Sequence, residues 1–370
     1  MPLEDYQAKR DFDATPEPAG AVEPAAGALR FVVQEHHATA LHWDLRLEHE
    51  GVLASWALPK GVPPDPRVNH LAVHTEDHPM QYLAFHGDIP DGNYGAGTMT
   101  VWDHGTYDLV KWGDREVMVV LHGGRVEGRY VLFQTRGKQW MIHRMDPPAD
   151  PGREVWPGWS AFPTVVAEEG ELPADLDDYA IEFAWGGQRL LTYVSGGRVQ
   201  LHAPGQKGGP EGGELIGRLP ELRALGLSLG VTELVIDGTV IVLGPDGRPS
   251  PSRLEERLAA RSDSASRRLR ERYPATLMIA DLLWRDGHSL TALPYEQRRQ
   301  QLSALSLSGS RSLSGSRSLA GPAWQVPASY PGPDGPALLA AAGQQGLPGV
   351  VAKGLQNPYG KASAWIFVPA

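Results

Sequence analysis

The sequence contains no cysteine in its 370 residues. This absence excludes disulfide bonds and thiolate metal ligands, so a metal ion would have to be held by imidazole and carboxylate groups. There is also no run of about 18 apolar residues, which excludes a transmembrane helix. The first residues, MPLEDYQAKRDFDATPEP, lack the apolar stretch of a secretory signal. Together these absences predict a cytoplasmic protein without a membrane partner.

Basic residues are scarce as well. The chain has 34 Lys and Arg against 44 Asp and Glu, which gives a formal net charge of −10. Because contacts to phosphate groups need nearby Lys and Arg, any nucleic-acid contact should be confined to a small patch. Histidine, by contrast, is concentrated, since 11 of the 13 lie between His36 and His143. The first half of the chain is therefore expected to carry the chemistry.

The composition changes along the chain and predicts four segments. Residues 1–28 are rich in Pro, Ala and Gly without periodicity, which predicts a disordered arm. Residues 29–146 form short alternating segments separated by turn residues, which is typical of a compact all-β barrel or sandwich. Residues 147–175 are rich in Pro and acidic residues and are interpreted as a linker. Residues 176–370 mix strand and helix patterns, so the whole chain is predicted to be α+β.

Local patterns place individual elements within these segments. The clearest strands of the β domain are 52–58, 70–76, 98–105, 117–124, 128–135 and 139–145. The four residues 136–139 are predicted to form a hairpin turn. In the second domain, helices are expected within 252–272 and 293–305, and the Ser/Gly/Leu/Arg repeat at 306–319 is interpreted as a flexible loop.

The segment 42–48 carries the most functional groups. Its apolar and polar residues alternate, which predicts a strand with one buried face and one polar face. On the polar face His42, Asp44 and Arg46 follow one another in two-residue steps, and His36 lies upstream on a possible neighbouring strand. Two imidazoles and one carboxylate make a three-ligand site for Mn, Fe or Zn. The Arg46 guanidinium is suited to gripping a phosphate group.

A second polar segment could form the other wall of this site. It offers side chains at even spacing and then a tyrosine: His70, His74, Glu76, His78 and Tyr82. A metal ion beside cationic side chains indicates phosphoester hydrolysis, because the ion polarises a phosphate oxygen and activates a water molecule. The glycine-rich segment 92–97, GNYGAG, is interpreted as a turn, since no helix pattern follows it.

Two other interpretations of these residues stay open. Any single histidine on the polar side of a strand is more commonly just solvated, and only the joint occurrence of His, Asp and Arg favours a metal site. A two-His-one-carboxylate iron oxygenase would also use His42 and Asp44 with a distant histidine. That reaction class leaves His36 and Arg46 without a role.

Two stretches resemble a known family in the same order along the chain. FVVQEHHATALHWDLRLEHEGVLASWALPKG and LAVHTEDHPMQYLAFHGDIPDGNYGAGTMTVWD are similar to the 3′-phosphoesterase domain of bacterial non-homologous end-joining DNA ligase D, over about residues 29–146. The resemblance implies a small β-barrel that uses Mn²⁺, although other divalent metals would also fit. It implies removal of a 3′-terminal ribonucleoside and then of the 3′-phosphate from DNA or DNA/RNA primer ends, leaving a 3′-OH.

The resemblance also assigns roles to individual residues. It implies metal ligands at His36, His42 and Asp44. It implies catalytic or supporting roles for Arg46, His78, Tyr82 and Glu76, and phosphate binding by Arg46, His78 and His70. Two positions depart from the family, because Glu35 stands where Lys is usual and His70 where Arg is common. Both changes are expected to weaken the hold on the phosphate without removing the metal site.

Residues 176–370 resemble the nucleotidyltransferase core of ATP-dependent DNA ligases but lack its reactive groups. In the frame Glu-x-Lys-x-Asp-Gly-x-Arg, read here at 182–189, Ala184 replaces the Lys that would carry AMP. Thr239 and Pro348 stand where metal-binding glutamates are expected, and Phe367 and Pro369 replace lysines of the closing motif. The sequence also stops without an oligonucleotide-binding domain. A pseudo-ligase without ATP adenylation is therefore predicted.

The role of this second domain is left open by the sequence. It could present DNA ends, stabilise the first domain, or dock an end-joining partner such as a Ku-like protein, a ligase or a polymerase. A non-catalytic DNA-repair scaffold or binding protein is the alternative for the whole chain, with Glu35 and His70 as the first signs of decay in the phosphoesterase half.

Overall fold

A computed structural model gives the fold of the chain, and its contacts divide it into two compact units, Met1–Val155 and Trp156–Ala370. The structure describes residues 3–20, 22, 27–90, 92–148, 150–154, 157, 162, 165–203, 212–230, 232–305, 307, 323–360 and 365–370. Apart from Leu307, the predicted loop at 306–319 lies outside these residues. No helix in the described ranges is long and apolar enough to span a bilayer.

The first unit is a closed antiparallel barrel of eight strands with a ninth on its edge. The order is β1-β2-β3-β4-β9-β8-β7-β6, and pairing of β6 with β1 closes the ring, while β5 pairs with β6 alone. The strands are β1 Arg30–His37, β2 Leu41–His49, β3 Val52–Leu58, β4 Asn69–His74, β5 Gly87–Ile89, β6 Gly97–Gly113, β7 Glu116–Gly123, β8 Glu127–Arg136 and β9 Gln139–Arg144. The prediction of a small N-terminal β-barrel is confirmed.

The two-residue period of β1–β3 separates an apolar face from a polar one. Trp43, Leu45 and Leu47 are completely buried, as expected for side chains that face the barrel core. The polar face is buried too, since Asp44 is only 6% and Arg46 only 2% exposed. The expectation of one buried and one open face is therefore wrong for β2, because other parts of the unit cover its polar side.

The cover consists of the N-terminal arm and a connecting segment. Helix α1, Glu4–Ala8, and a 3₁₀ helix, Met80–Ala84, contribute to a small apolar cluster outside the barrel wall. Tyr6 is fully buried in this cluster, and its hydroxyl donates to the carbonyl of Pro18 at 2.6 Å. Disorder was predicted for residues 1–28, but the described part of the arm packs against the barrel because large apolar side chains anchor it.

The second unit is mixed, as the α+β prediction requires. Two sheets have the orders β10-β20-β19-β11-β18 and β13-β12-β14-β15-β16, and β17 pairs with β15. The strands are β10 Glu168–Glu169, β11 Tyr179–Ala184, β12 Gln188–Ser195, β13 Arg198–His202, β14 Leu234–Val242, β15 Ala275–Arg285, β16 His288–Ser289, β17 Trp324–Gln325, β18 Tyr330–Pro331, β19 Gly349–Gly354 and β20 Trp365–Pro369.

Helices flank these sheets. They are α2 Gly212–Arg218, α3 Arg223–Leu229, α4 Pro251–Leu258, α5 Asp263–Arg272, α6 Tyr295–Ala304 and α7 Gly335–Gln345, with 3₁₀ turns at Leu176–Asp178, Pro220–Leu222 and Gly332–Asp334. The stretch expected to be helical at 252–272 is thus two helices. Its break coincides with Ser262, whose side chain accepts from the backbone N–H of Ala265 and so caps α5.

Candidate metal and phosphate site

The three side chains predicted as metal ligands converge on the polar face of β1 and β2. His36 lies directly opposite His42 in the antiparallel register, and Asp44 lies opposite Gln34. Nδ1 of His36 is 3.8 Å from Oδ2 of Asp44, and Nε2 of His42 is 3.7 Å from its Oδ1. One ligand atom from each of the three residues lies within 4.8 Å of the other two. The strand register therefore places all three donors around one point.

Backbone carbonyls orient both imidazole rings. Nε2 of His36 is 2.9 Å from the carbonyl oxygen of Gly95, and Nδ1 of His42 is 3.0 Å from that of Ala40. A carbonyl oxygen only accepts, so each ring donates its N–H there and turns its other nitrogen toward Asp44. Contacts of this kind fix the tautomer of metal-binding histidines. The resulting set of two imidazole nitrogens and one carboxylate fits a divalent first-row metal ion.

Arg46 continues the row and is held on three sides. It donates to the carboxylate of Asp44 at 2.9 Å, to the side-chain oxygen of Gln34 at 2.7 Å and to the hydroxyl of Ser55 at 3.0 Å. Burial would raise the pKa of the Asp44 carboxyl, but Arg46 and the two neighbouring histidines outweigh it and lower that pKa. Asp44 is therefore an anion at neutral pH, ready to bind a cation.

His78 and Tyr82 lie beside Arg46, as the resemblance implied. The Arg46 guanidinium carbon is 4.8 Å from the Tyr82 ring centre, and the His78 and Tyr82 rings are 4.7 Å apart. Nδ1 of His78 donates to the carbonyl of Glu76 at 2.8 Å. Burial, together with the charges of Arg46 and Arg10, lowers the pKa of His78 well below its ordinary value. His78 is therefore neutral at neutral pH, with its lone pair on Nε2.

The N-terminal arm adds charged groups that the sequence did not reveal. Arg10 donates to the carboxylates of Glu17 at 2.7 Å and Glu76 at 3.2 Å, and a terminal nitrogen lies 3.4 Å from Nε2 of His78. Glu17 also accepts a short hydrogen bond from the Tyr82 hydroxyl. The available signal in the sequence was weak, because only a few large apolar side chains are spaced through a polar, low-complexity segment.

Glu76, predicted as a supporting carboxylate, ties the arm to the site. Besides its contact with Arg10, it accepts from the ammonium group of Lys9 at 2.8 Å. Burial would raise the pKa of Glu76, but hydrogen bonds from Lys9 and Arg10 help to lower it. Glu76 therefore stays ionised and holds both cations beside His78.

His70 takes a different position from the other predicted phosphate ligands. It lies on β4, and its Nδ1 donates to the carbonyl of Gly61 at 2.8 Å. Burial, with the charges of Lys60 and Arg153, lowers its pKa, so it is neutral at neutral pH. Within the described part of the chain, no hydrogen bond joins it to the metal triad, Arg46 or His78. A neutral ring in this setting offers little electrostatic attraction for a phosphate group.

In the second unit, the replaced ligase positions lie close together. Ala184 ends β11 and pairs with Gly349, which in turn pairs with Pro369 of β20. Gly186 has a φ of +58°, and a Cβ there would come within 2.6 Å of the Pro348 ring. Apolar side chains therefore occupy the end of the sheet where the ligase motifs would place Lys and Glu.

The charged residues that remain in this region bond to one another. Glu182 accepts from Lys353 at 2.8 Å and from Arg299 at 3.3 Å, and it also accepts from the Tyr295 hydroxyl. Lys353 is 2% exposed and also donates to the carbonyl of Ala280 at 3.0 Å. A buried carboxylate satisfied in this way is stable without a ligand.

Comparison with known proteins identifies two families. Residues 34–134 match the DNA Ligase D 3′-phosphoesterase domain, and residues 177–366, about half of the chain, match the ATP dependent DNA ligase domain. The ordered motifs at His36–Asp44 and Glu76–Tyr82 lie within the first match.

Relatives that contain both halves are also found. The chain is 37% identical over 98% of its length to "Multifunctional non-homologous end joining protein LigD" of Mycolicibacterium smegmatis, and 32% identical over 99% to the protein of that name from Pseudomonas aeruginosa. It spans 45% and 46% of those proteins, less than half of their length. A solved structure, mycobacterial DNA ligase D complexed with ATP and MES, is 26% identical and covers 57% of this chain and 61% of that one, with a TM-score of 0.45.

Proposed function

Because the chain belongs to the ATP-dependent DNA ligase domain family and joins that domain to a DNA ligase D 3′-phosphoesterase domain, we propose that it heals DNA 3′ ends. The reaction is the metal-dependent removal of a 3′-terminal ribonucleoside and of the 3′-phosphate, leaving a 3′-OH. The observation that carries this proposal is the convergence of His36, His42 and Asp44 in strand register beside the buried Arg46.

Mn²⁺ is the ion that we assign to this donor set. When bound, it would polarise a phosphate oxygen and favour a nucleophilic hydroxide. His36, His42 and Asp44 would hold it. The three hydrogen bonds of Arg46 use three of its five N–H groups, so two are left for phosphate oxygens.

The neighbouring residues act on the phosphate and on protons. Neutral His78 keeps a lone pair on Nε2 and takes up a proton there. Arg10 places a second guanidinium beside that nitrogen, where it can neutralise charge that develops on the phosphate. Burial raises the pKa of the Tyr82 hydroxyl, so that group stays protonated and serves as a hydrogen-bond donor. The proposed substrate is therefore a terminal phosphate rather than a neutral group.

A primer assay with a matched pair of variants tests the proposal. Purified protein with Mn²⁺ should convert a 3′-phosphate primer to 3′-OH, and it should release a terminal ribonucleoside. Asp44→Asn removes one of three ligands, so Mn²⁺ affinity, measured by calorimetry, should fall by at least the roughly 10–100-fold that outer-sphere changes cost. Turnover should fall with it.

Asp103→Asn is the control, because it also removes a buried barrel carboxylate. Asp103 accepts from the backbone N–H groups of Gly124, Arg125 and Val126 at 2.8–3.0 Å and belongs to a turn. Its loss should lower stability while leaving Mn²⁺ affinity unchanged. If the protein leaves the primer intact while Asp44→Asn binds DNA as well as the parent, the scaffold alternative is correct. Turnover of 2-oxoglutarate with Fe²⁺ would instead identify the oxygenase.

For the second unit we infer a pseudo-ligase. Ala184 supplies no nucleophile, and the remaining acid Glu182 is bonded to Lys353 and Arg299. Incubation with ATP labelled at the α-phosphate should yield no covalently labelled protein, and Ala184→Lys alone should not restore labelling, because Thr239 and Pro348 are not metal ligands. Labelling of the parent protein would refute this inference.

The cellular setting is proposed from the relatives. Their names place them in non-homologous end joining, so DNA ends and end-joining proteins, such as a Ku-like protein, a ligase or a polymerase, are the proposed partners. The cytoplasm is the proposed location. Copurification with end-joining proteins from cells treated with a double-strand-breaking agent would test the partnership.

A further inference from the structure

One aromatic side chain stands open at the edge of the metal site. Tyr94 is 51% exposed, and every other aromatic side chain in the described ranges is buried or half-buried. It lies in the glycine-rich turn between β5 and β6, the segment GNYGAG. An exposed ring costs free energy in water, so its position calls for an explanation.

The turn that carries Tyr94 is fixed to the site. Its next residue, Gly95, supplies the carbonyl that orients His36 at 2.9 Å. Asn93 donates from its side chain to the carbonyl of Pro90 at 3.1 Å, and its backbone carbonyl accepts from Ala96 at 3.2 Å. The ring is therefore held one residue away from the group that positions a metal ligand.

Cations from the arm lie against the Tyr94 ring. Nζ of Lys9 is 4.8 Å from the ring centre, and the Arg10 guanidinium carbon is 5.5 Å from it. The same guanidinium reaches to 3.4 Å from Nε2 of His78. One side chain thus spans the distance between the exposed ring and the proposed phosphate site.

We propose that Tyr94 is a stacking platform for the base of the 3′-terminal nucleotide. This proposal rests on the proposed 3′-end phosphoesterase function and adds a residue that positions the substrate. A nucleotide carries its base and its 3′-phosphate on one ribose, so a phosphate held by Arg46 and Arg10 brings the base to the neighbouring open ring. Every base has a π face, so the platform holds ends of any sequence.

The stacking proposal also accounts for the low positive charge of the chain. With a net charge of −10, the protein cannot hold DNA by a broad basic surface. An aromatic contact beside two local cations provides affinity that does not depend on many phosphate contacts. The substrate is consequently held at its terminus.

Two primers and two variants test the platform. On a 3′-phosphate primer with a normal terminal base, Tyr94→Ala should raise KM about fivefold or more, the lower end of the cost of losing one base–aromatic stack, with little change in kcat. On a primer whose terminal nucleotide is abasic, parent and Tyr94→Ala should have the same KM. Tyr94→Phe keeps the ring and should match the parent on both primers.

A binding measurement provides a readout that does not depend on turnover. The 3′-OH product primer with a terminal 2-aminopurine should lose fluorescence on binding the parent protein and Tyr94→Phe, but not Tyr94→Ala. Equal effects of Tyr94→Ala on both primers, or a fall in kcat alone, would overturn the proposal, because they indicate that the ring only supports Gly95 or the arm. Quenching by a parent protein that cleaves neither primer would refute the phosphoesterase function and leave the stacking intact.

Discussion

At the scale of single residues, Arg46 combines a structural and a proposed catalytic role. Its guanidinium is fixed by Gln34, Ser55 and Asp44, a planar arrangement that an ammonium group cannot reproduce. Arg46→Lys keeps the charge but loses at least two of these bonds. We expect kcat on a 3′-phosphate primer to fall by roughly 10²-fold or more, by analogy with the loss of one oriented donor in other active sites. Steady-state kinetics will measure it, and an unchanged kcat would contradict the role.

Asp77 lies next to this network and should make stability depend on pH. Burial and then the charge of Glu76 raise its pKa from 3.8 to about 6. A raised carboxyl pKa favours the protonated form in the folded state, so this contribution to stability is present below about pH 4 and is lost as pH rises through 6. Asp77→Asn should therefore raise the free energy of unfolding by about 1–2 kcal/mol at pH 8, after allowance for solvent screening, with little gain at pH 4.

Urea unfolding at pH 4, 6 and 8 will measure this difference. Asp114→Asn is the control, since Asp114 is exposed on the turn between β6 and β7 and should change stability little at any of these pH values. A gain from Asp77→Asn that is equal at pH 4 and pH 8 would mean that the ionisation of Asp77 is not its cause.

At the scale of elements, the N-terminal arm is the cover of the site. Tyr6 anchors it: its ring lies 3.9 Å from the Arg10 guanidinium carbon and 5.2 Å from the His78 ring centre. Tyr6→Ala should detach the arm, lower kcat by removing Arg10 and Glu17 from the site, and leave the barrel folded. Limited proteolysis should then cut the arm faster. Tyr6→Phe loses only the hydrogen bond to Pro18, worth about 1 kcal/mol, and an equally large loss of kcat in that variant would argue against anchoring by the ring.

The strands were easier to predict than the arm for a physical reason. A two-residue alternation reports directly on burial of one face, so the segment 52–58 coincides with β3, and the turn predicted at 136–139 joins β8 to β9. The arm has no such period. Its order comes from contacts with residues more than 60 positions away, such as Glu76 and Tyr82, and these contacts have no local signature.

At the scale of the whole molecule, the two compact units meet at Val155 and Trp156. This boundary lies within the predicted linker, at 147–175. Residues 1–155 contain the metal triad, Arg46 and the arm, so they should fold alone and cleave a 3′-phosphate primer with kcat and KM within about twofold of the full chain. A large rise in KM after protease cleavage at an engineered site near 155 would mean that the second unit captures substrate.

The sequence by itself determined the family, the α+β class, the barrel and the residues of the proposed metal triad. These follow from motifs a few residues apart on single strands, where spacing alone decides which side chains share a face. The sequence also identified the replacement of the ligase lysine by Ala184. Only the tertiary structure decided which distant groups surround the triad.

The structure brought Arg10 and Glu17 onto His78 and Tyr82, placed His70 on the Gly61 carbonyl, and put the open ring of Tyr94 beside the cations of the arm. These placements depend on barrel closure and on apolar packing of the arm. Contacts across such sequence separations are set by the burial of the whole unit, and spacing along the chain carries no information about them.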